Sequence, residues 1–136
     1  MNYIGLICAV TTFFNVWLGH AAVRYIETRA ISVKQPTILF ALSGLILGIG
    51  AIFNTSYPIS AVLGITGVIL IWDSFEFSRQ QRRVARGHAP ANPNNPRHRR
   101  ILAEYPMATS INWLKREPLG RQVSIDEQNS MRKAAR

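Results

Sequence analysis

Apolar and charged positions alternate in long blocks along the chain, and the first block sets the scale: Tyr3 to Val23 contains no Asp, Glu, Lys or Arg. A bilayer core about 30 Å thick is crossed by roughly 20 apolar residues in helix, so these 21 residues predict one span. A second charge-free block covers the 38 residues from Gln35 to Trp72. It is too long for one crossing, and Asn54-Thr55-Ser56-Tyr57-Pro58 breaks it in the middle. Pro36 and Pro58 stand where helices would begin, and proline suits a first turn because the N–H it lacks has no intrahelical partner there. The pattern therefore predicts a second helix over about 36 to 53 and a third over about 58 to 86, with 58 to 77 crossing the membrane. The stretch LFALSGLILGIGAIF shows almost no polar face at the helical period, which argues against a hairpin of soluble core helices.

A cleaved secretory leader is the alternative for the first block, since Gly19-His20-Ala21 places small residues around a conceivable cut. Such leaders carry basic residues before the apolar stretch, and Met1-Asn2-Tyr3 carries none. Beyond Trp72 the helix-forming run DSFEFSRQQRRVAR ends at Gly87, well placed as a left-handed cap. The proline and asparagine of HAPANPNNPRHRR predict a stiff turn or linker without regular structure. Two short helices are expected after it. One spans about 110 to 117, starting at Ser110 with Trp113 and Leu114 on one side; the other spans about 125 to 135, opened by Ser124-Ile125-Asp126-Glu127. That tetrapeptide matches the capping box, in which Ser and Glu satisfy each other's terminal amides. The expected fold is thus all-α: a transmembrane domain of three helices over 1 to 87, and a basic, partly helical cytoplasmic tail over 88 to 136.

Charge fixes the expected orientation. The 136 residues, a length that allows one domain, carry 16 Lys+Arg against 7 Asp+Glu, for a net +9. Of the 16 basic residues 13 fall in 74 to 136, and Arg79 to Arg100 holds seven arginines without one acid. Lys and Arg near span ends stay on the cytoplasmic side. Arg24, Arg29 and Lys34 follow the first span, the turn near residue 55 is uncharged, and Arg79, Arg82, Arg83 and Arg86 follow the third. The N-terminus is expected outside and the C-terminal region in the cytoplasm. A disulfide scaffold is excluded, because Cys8 has no partner in the chain.

Several strings together resemble a known family. These are Met1-Asn2-Tyr3-Ile4-Gly5, Gly19-His20, Tyr25-Ile26-Glu27, Leu63-Gly64-Ile65-Thr66-Gly67, Trp72-Asp73-Ser74, and Arg82-Arg83-Val84-Ala85-Arg86-Gly87 followed by Pro90-Ala91-Asn92-Pro93. They are similar to a family of small three-span bacterial inner-membrane proteins of unknown function, over roughly residues 1 to 97. The most specific part is the R-V-x-[KR]-G-x-x-P-x-N-P string after the third span. Ala21 and His88-Ala89 depart from the family pattern, and the last forty or so residues lie outside it. The resemblance implies a topology and no chemistry.

The candidate sites are few. Gly44 and Gly48 form a G-x-x-x-G pair, and Gly64 and Gly67 offer a matching small surface on the third helix. Small residues let helix backbones approach closely in lipid, either within the chain or against a neighbouring subunit. Asn15 and the Thr11-Thr12 pair can hydrogen-bond across helices. His20 lies about one turn from the cytoplasmic end of the first span, and an ionisable group there is a functional candidate. It could contact haem or quinone shared with a partner, or relay a proton; the simpler expectation is a polar cluster of His20, Arg24, Glu27, Asp73 and Glu76. No cofactor is required by the sequence.

Trp72, Arg79, Arg82, Arg83, Arg86, Arg97, Arg99, Arg100, Trp113 and Leu114 are the expected contacts with anionic lipid or a partner. Nucleic acid is disfavoured, with only Tyr105 and Trp113 as aromatics beyond the linker. There is no nucleophile elbow, metal-spaced Cys/His set or phosphate loop, and His88 and His98 would need an outside ligand to hold zinc. The expected function is a non-catalytic accessory or scaffold subunit of a larger membrane complex, electron-transferring or photosynthetic in kind. A homo-oligomeric channel or carrier is the first alternative; a membrane tether for nucleic acid or anionic lipid is the second.

Overall fold

The structure is a computed structural model that describes residues 3–112 and 124–135. Five helices follow one another: α1 (Ile4–Arg29), α2 (Lys34–Phe53), α3 (Tyr57–Ala85), α4 (Pro96–Glu104) and α5 (Ile125–Ala134). No strand occurs among the described residues. The first three are each long and apolar enough to cross a membrane. The chain divides into two compact units after Arg79, a boundary that falls inside α3, which itself runs unbroken.

In the first unit, α1 outlasts the 3 to 23 span read from the sequence and continues through its charged end to Arg29. The Thr28 hydroxyl donates back to the Arg24 carbonyl, so a polar side chain there is accommodated without breaking the rod. Helix α2 begins two residues ahead of Pro36. Proline is tolerated at that third position because none of the first four amides of a helix has an intrahelical acceptor. The turn at 54 to 56 is closed by the Ser56 amide donating to Asn54 Oδ1 (2.9 Å). The Ser60 hydroxyl then donates to the Ala51 carbonyl (2.8 Å), tying the start of α3 to the end of α2.

Contacts set the directions. Ala51 meets Ser60 and Gly44 meets Gly67, so α2 and α3 are antiparallel. Asn15 Nδ2 donates to Thr66 Oγ1 (3.1 Å) and Gly19 meets Asp73, so α1 and α3 are parallel. Burial in this unit is inverted relative to a soluble core. Glu27, Asp73, Ser74 and Glu76 are buried, whereas Leu6, Val10, Phe13, Phe14, Trp17, Leu39 and Ile46 are exposed. Only 6% of the most apolar window of α1 or α2 is buried. Apolar surface of that extent is stable when lipid covers it.

The second unit corrects the reading of the proline and asparagine stretch. It is a turn that starts a helix: the Asn95 side chain accepts from the Arg97 amide (2.9 Å), Pro96 takes the first helical position, and α4 follows to Glu104. Asn-Pro breaks regular structure in many settings, but asparagine at the cap and proline just inside it are also the preferred opening of a helix. The 110 to 117 helix is not found where it was expected to begin, since 110 to 112 are irregular and the Thr109 hydroxyl accepts the Ile111 amide; its remaining positions lie outside the described residues. Gly87 ends α3 with φ +74°. The Gly87 amide donates to the Val84 carbonyl and the His88 amide to the Arg83 carbonyl, the paired bonds of a Schellman cap. A small core of Val84, Ala91 and Ile101 holds the unit, with Ala85, Ala89, Leu102 and Ala108 around it. Helix α5 is capped by Ser124, whose hydroxyl accepts from the Glu127 amide, and buries no residue.

Candidate functional site

The buried carboxylates of the first unit, Glu27, Asp73 and Glu76, lie toward the same end of α1 and α3. Periodicity explains their placement: Asp73, Glu76 and Phe77 share the face of α3 that turns inward, and Gly19, Val23 and Glu27 recur every four residues along α1. Asp73 is 3% exposed and its carboxyl packs on the backbone of Gly19, where a side chain would displace it. Among the described residues, Asp73 Oδ2 has no hydrogen-bond partner. His20 and Glu76 stand close enough to act on its charge. Glu76 is paired with Arg79 at 2.6 Å, and the Arg79 guanidinium lies 4.8 Å from the centre of the Trp72 ring. Beneath them Phe77 meets Phe40 edge to face, with ring centres 5.1 Å apart. Of the cluster expected from sequence, the three acids are buried, while His20 and Arg24 are exposed at the surface.

The glycines named from the sequence have unequal parts. Gly44 of α2 packs against α3, and a Cβ there would fall 2.6 Å from the Gly67 carbonyl and 3.0 Å from the Ile71 amide. Gly67 returns the contact, with a Cβ 2.8 Å from the Gly44 carbonyl and 3.0 Å from the Gly48 amide. A Cβ on Gly48 would meet nothing, and one on Gly64 would make ordinary contact with Ala51. The small-residue surface of α2 is thus occupied by α3 of the same chain.

The basic residues occupy two places. Arg79, Arg82 and Arg83 on α3 and Arg86 just past its end are exposed, with Trp72 below them. In the second unit Arg99 and Arg100 are exposed on α4, whereas Arg97 is half-buried beside His98. Trp113 and Leu114 lie outside the described residues.

A model of the family described as Domain of unknown function (DUF4491) matches residues 2–95. The chain belongs to the DUF4491 family. No curated protein and no solved structure matches it. The DUF4491 match takes in α1, α2 and α3 with the carboxylates, the glycines and the α3 arginines, and ends on the asparagine that caps α4.

Beyond the DUF4491 match, the histidine expected in a linker stands on α4 instead. His98 is fully buried. Its Nδ1 accepts the Asn92 amide at 2.8 Å, and Arg97 Nη2 lies 2.9 Å from its Nε2. Helix α4 positions it there, because His98 and Ile101 are three apart and so share the inward face. The signal was present in Asn95-Pro96, whose reading as a helix start puts His98 on a helix. Among the described residues no group of three His, Cys, Asp or Glu is arranged to hold a metal.

Proposed function

We propose that this protein is a non-catalytic accessory or scaffold subunit of a larger bacterial membrane complex, energy-transducing in kind, set in the inner membrane with its N-terminus outside and its C-terminus in the cytoplasm. The observation that supports this reading best is the division of its surfaces. Asn15 and Thr66 bond to each other, Asp73 and Glu76 are turned inward, and Gly44 and Gly67 are used up between α2 and α3. What the three helices present outward is large and apolar, with Phe13, Phe14 and Trp17 on α1 and Leu39, Ile46 and Ile49 on α2. Side chains of that kind work by contact with lipid or with other spans. The buried carboxylates sit toward one end of the helices, whereas a transport pathway places its polar groups near the middle of the membrane.

Purification of the full chain in mild detergent tests the reading. Co-migration with larger membrane proteins in fixed stoichiometry is expected. Recovery as a lone homo-oligomer that conducts ions or solutes in liposomes overturns it in favour of a channel or carrier.

A further inference from the structure

One exposed line runs along α3 from Val68 to Arg86, the residue that follows its last helical position, and changes its chemistry along the way. Val68, Trp72, Phe75, Arg79, Arg82 and Arg86 are spaced four, three, four, three and four residues apart, which is five turns of helix and keeps all six on one side. All are exposed, whereas Asp73, Phe77, Gln80 and Val84, on the other side of the same helix, are buried. The lower half of the line is apolar and aromatic; the upper half is arginine.

From this continuity we infer that the α3 arginines bind the phosphates of anionic phospholipids in the leaflet at that end of the helix. The distances fit. Each residue advances about 1.5 Å along the axis, so Arg79 stands about 6 Å, Arg82 about 10 Å and Arg86 about 16 Å beyond Phe75. The headgroup zone is about 5 to 8 Å deep on each side of the hydrocarbon. With Trp72 and Phe75 at its inner edge, as aromatic rings prefer, Arg79 lies within the zone, and the long side chains of Arg82 and Arg86 reach back toward it.

Arg79 is held in place by Glu76 and by the Trp72 ring. Nothing among the described residues pairs with Arg82 or Arg86, so their guanidinium groups are available for phosphate, which they can grip with two parallel N–H donors. A protein partner would need acidic groups set along the same line that lipid already covers lower down. Lipid needs no such coincidence, because the line leads straight from acyl chains to headgroups. The inference rests on the membrane setting of the proposed function and not on the existence of a partner complex.

The full chain in detergent, offered equal amounts of phosphatidylglycerol and phosphatidylcholine and read by native mass spectrometry, tests it. Wild type is expected to retain phosphatidylglycerol preferentially. The preference should fall about tenfold or more in Arg82→Gln/Arg86→Gln, following the contribution of each cation near an anionic surface. It should weaken less in Arg82→Lys/Arg86→Lys, which keeps the charge and loses the two-donor grip, and survive in Arg132→Gln/Lys133→Gln, which removes as much charge from α5.

Equal retention of the two lipids by wild type, or equal loss in the α5 variant, overturns the inference. Displacement by millimolar inorganic phosphate also overturns it, assigning the arginines to a soluble phosphate. Retention of RNA that is lost in the Arg82→Gln/Arg86→Gln variant assigns them to nucleic acid and overturns it too. A chain that stays out of the membrane fraction defeats the proposed function as well, whereas an inserted chain without lipid preference defeats only this inference.

Discussion

Asp73 rests its carboxyl group on the backbone of Gly19, and the absence of a side chain at Gly19 is what lets α1 and α3 close at that point. A methyl group there would overlap the carboxyl of Asp73. Gly19→Ala is therefore expected to lower stability by about 1 to 3 kcal/mol, the range for overpacking a close contact. Asp73→Ala in the same chain should relieve the overlap, so the double variant loses less than the two single variants added together. Thermal unfolding in detergent measures all four proteins of the cycle; additive losses would show that the two residues do not share this contact.

The α2–α3 crossing predicts a difference within one motif. Gly44→Ala and Gly67→Ala drive a methyl into backbone, against the Gly67 and Gly44 carbonyls respectively, and each should cost about 1 to 3 kcal/mol. Gly48→Ala meets nothing, and alanine favours helix over glycine, so it should be neutral or slightly stabilising. The same unfolding measurement separates them; three equal losses would contradict this crossing.

The second unit depends on Gly87 and His98. Gly87 needs its left-handed backbone and also lies against the Met107 carbonyl. Gly87→Ala should cost about 1 to 2 kcal/mol from the backbone conformation alone, with the close approach adding to it. His98→Leu leaves the part-buried Asn92 amide without its His98 acceptor, a loss of about 1 kcal/mol. Both variants should raise protease cleavage between 88 and 112 while leaving the apolar helices protected. Unchanged cleavage would show that neither residue holds the unit together.

His20 is exposed beside buried Asp73, where an imidazole is open to a haem held by a partner. If it is a ligand, the purified complex has a Soret band that disappears in His20→Ala. A spectrum without such a band, or one unaltered by the substitution, leaves His20 to electrostatic interaction with Asp73 alone.

The three apolar helices were legible from residue order because crossing a bilayer is a local requirement: each segment must be long enough, apolar enough and internally hydrogen-bonded. The caps at Gly87 and Ser124 were legible for a similar reason, since each is settled within a few residues. Asn95-Pro96 is equally local, and only the density of prolines around it hid a helix start.

Other features were fixed by how the helices come together. The glycine spacing named Gly44 and Gly48 alike, yet only the rotation and crossing of α2 against α3 decides that a side chain is excluded at Gly44 and has room at Gly48. Charge patterning placed Glu27, Asp73 and Glu76 near one end of the spans, but their burial depends on which face each helix turns to the others. His98 becomes an interior residue only once Val84, Ala91 and Ile101 have gathered around one small core. Length and polarity act along a segment and can be read from it, whereas contact between segments is a property of their relative placement, which no single stretch of sequence contains.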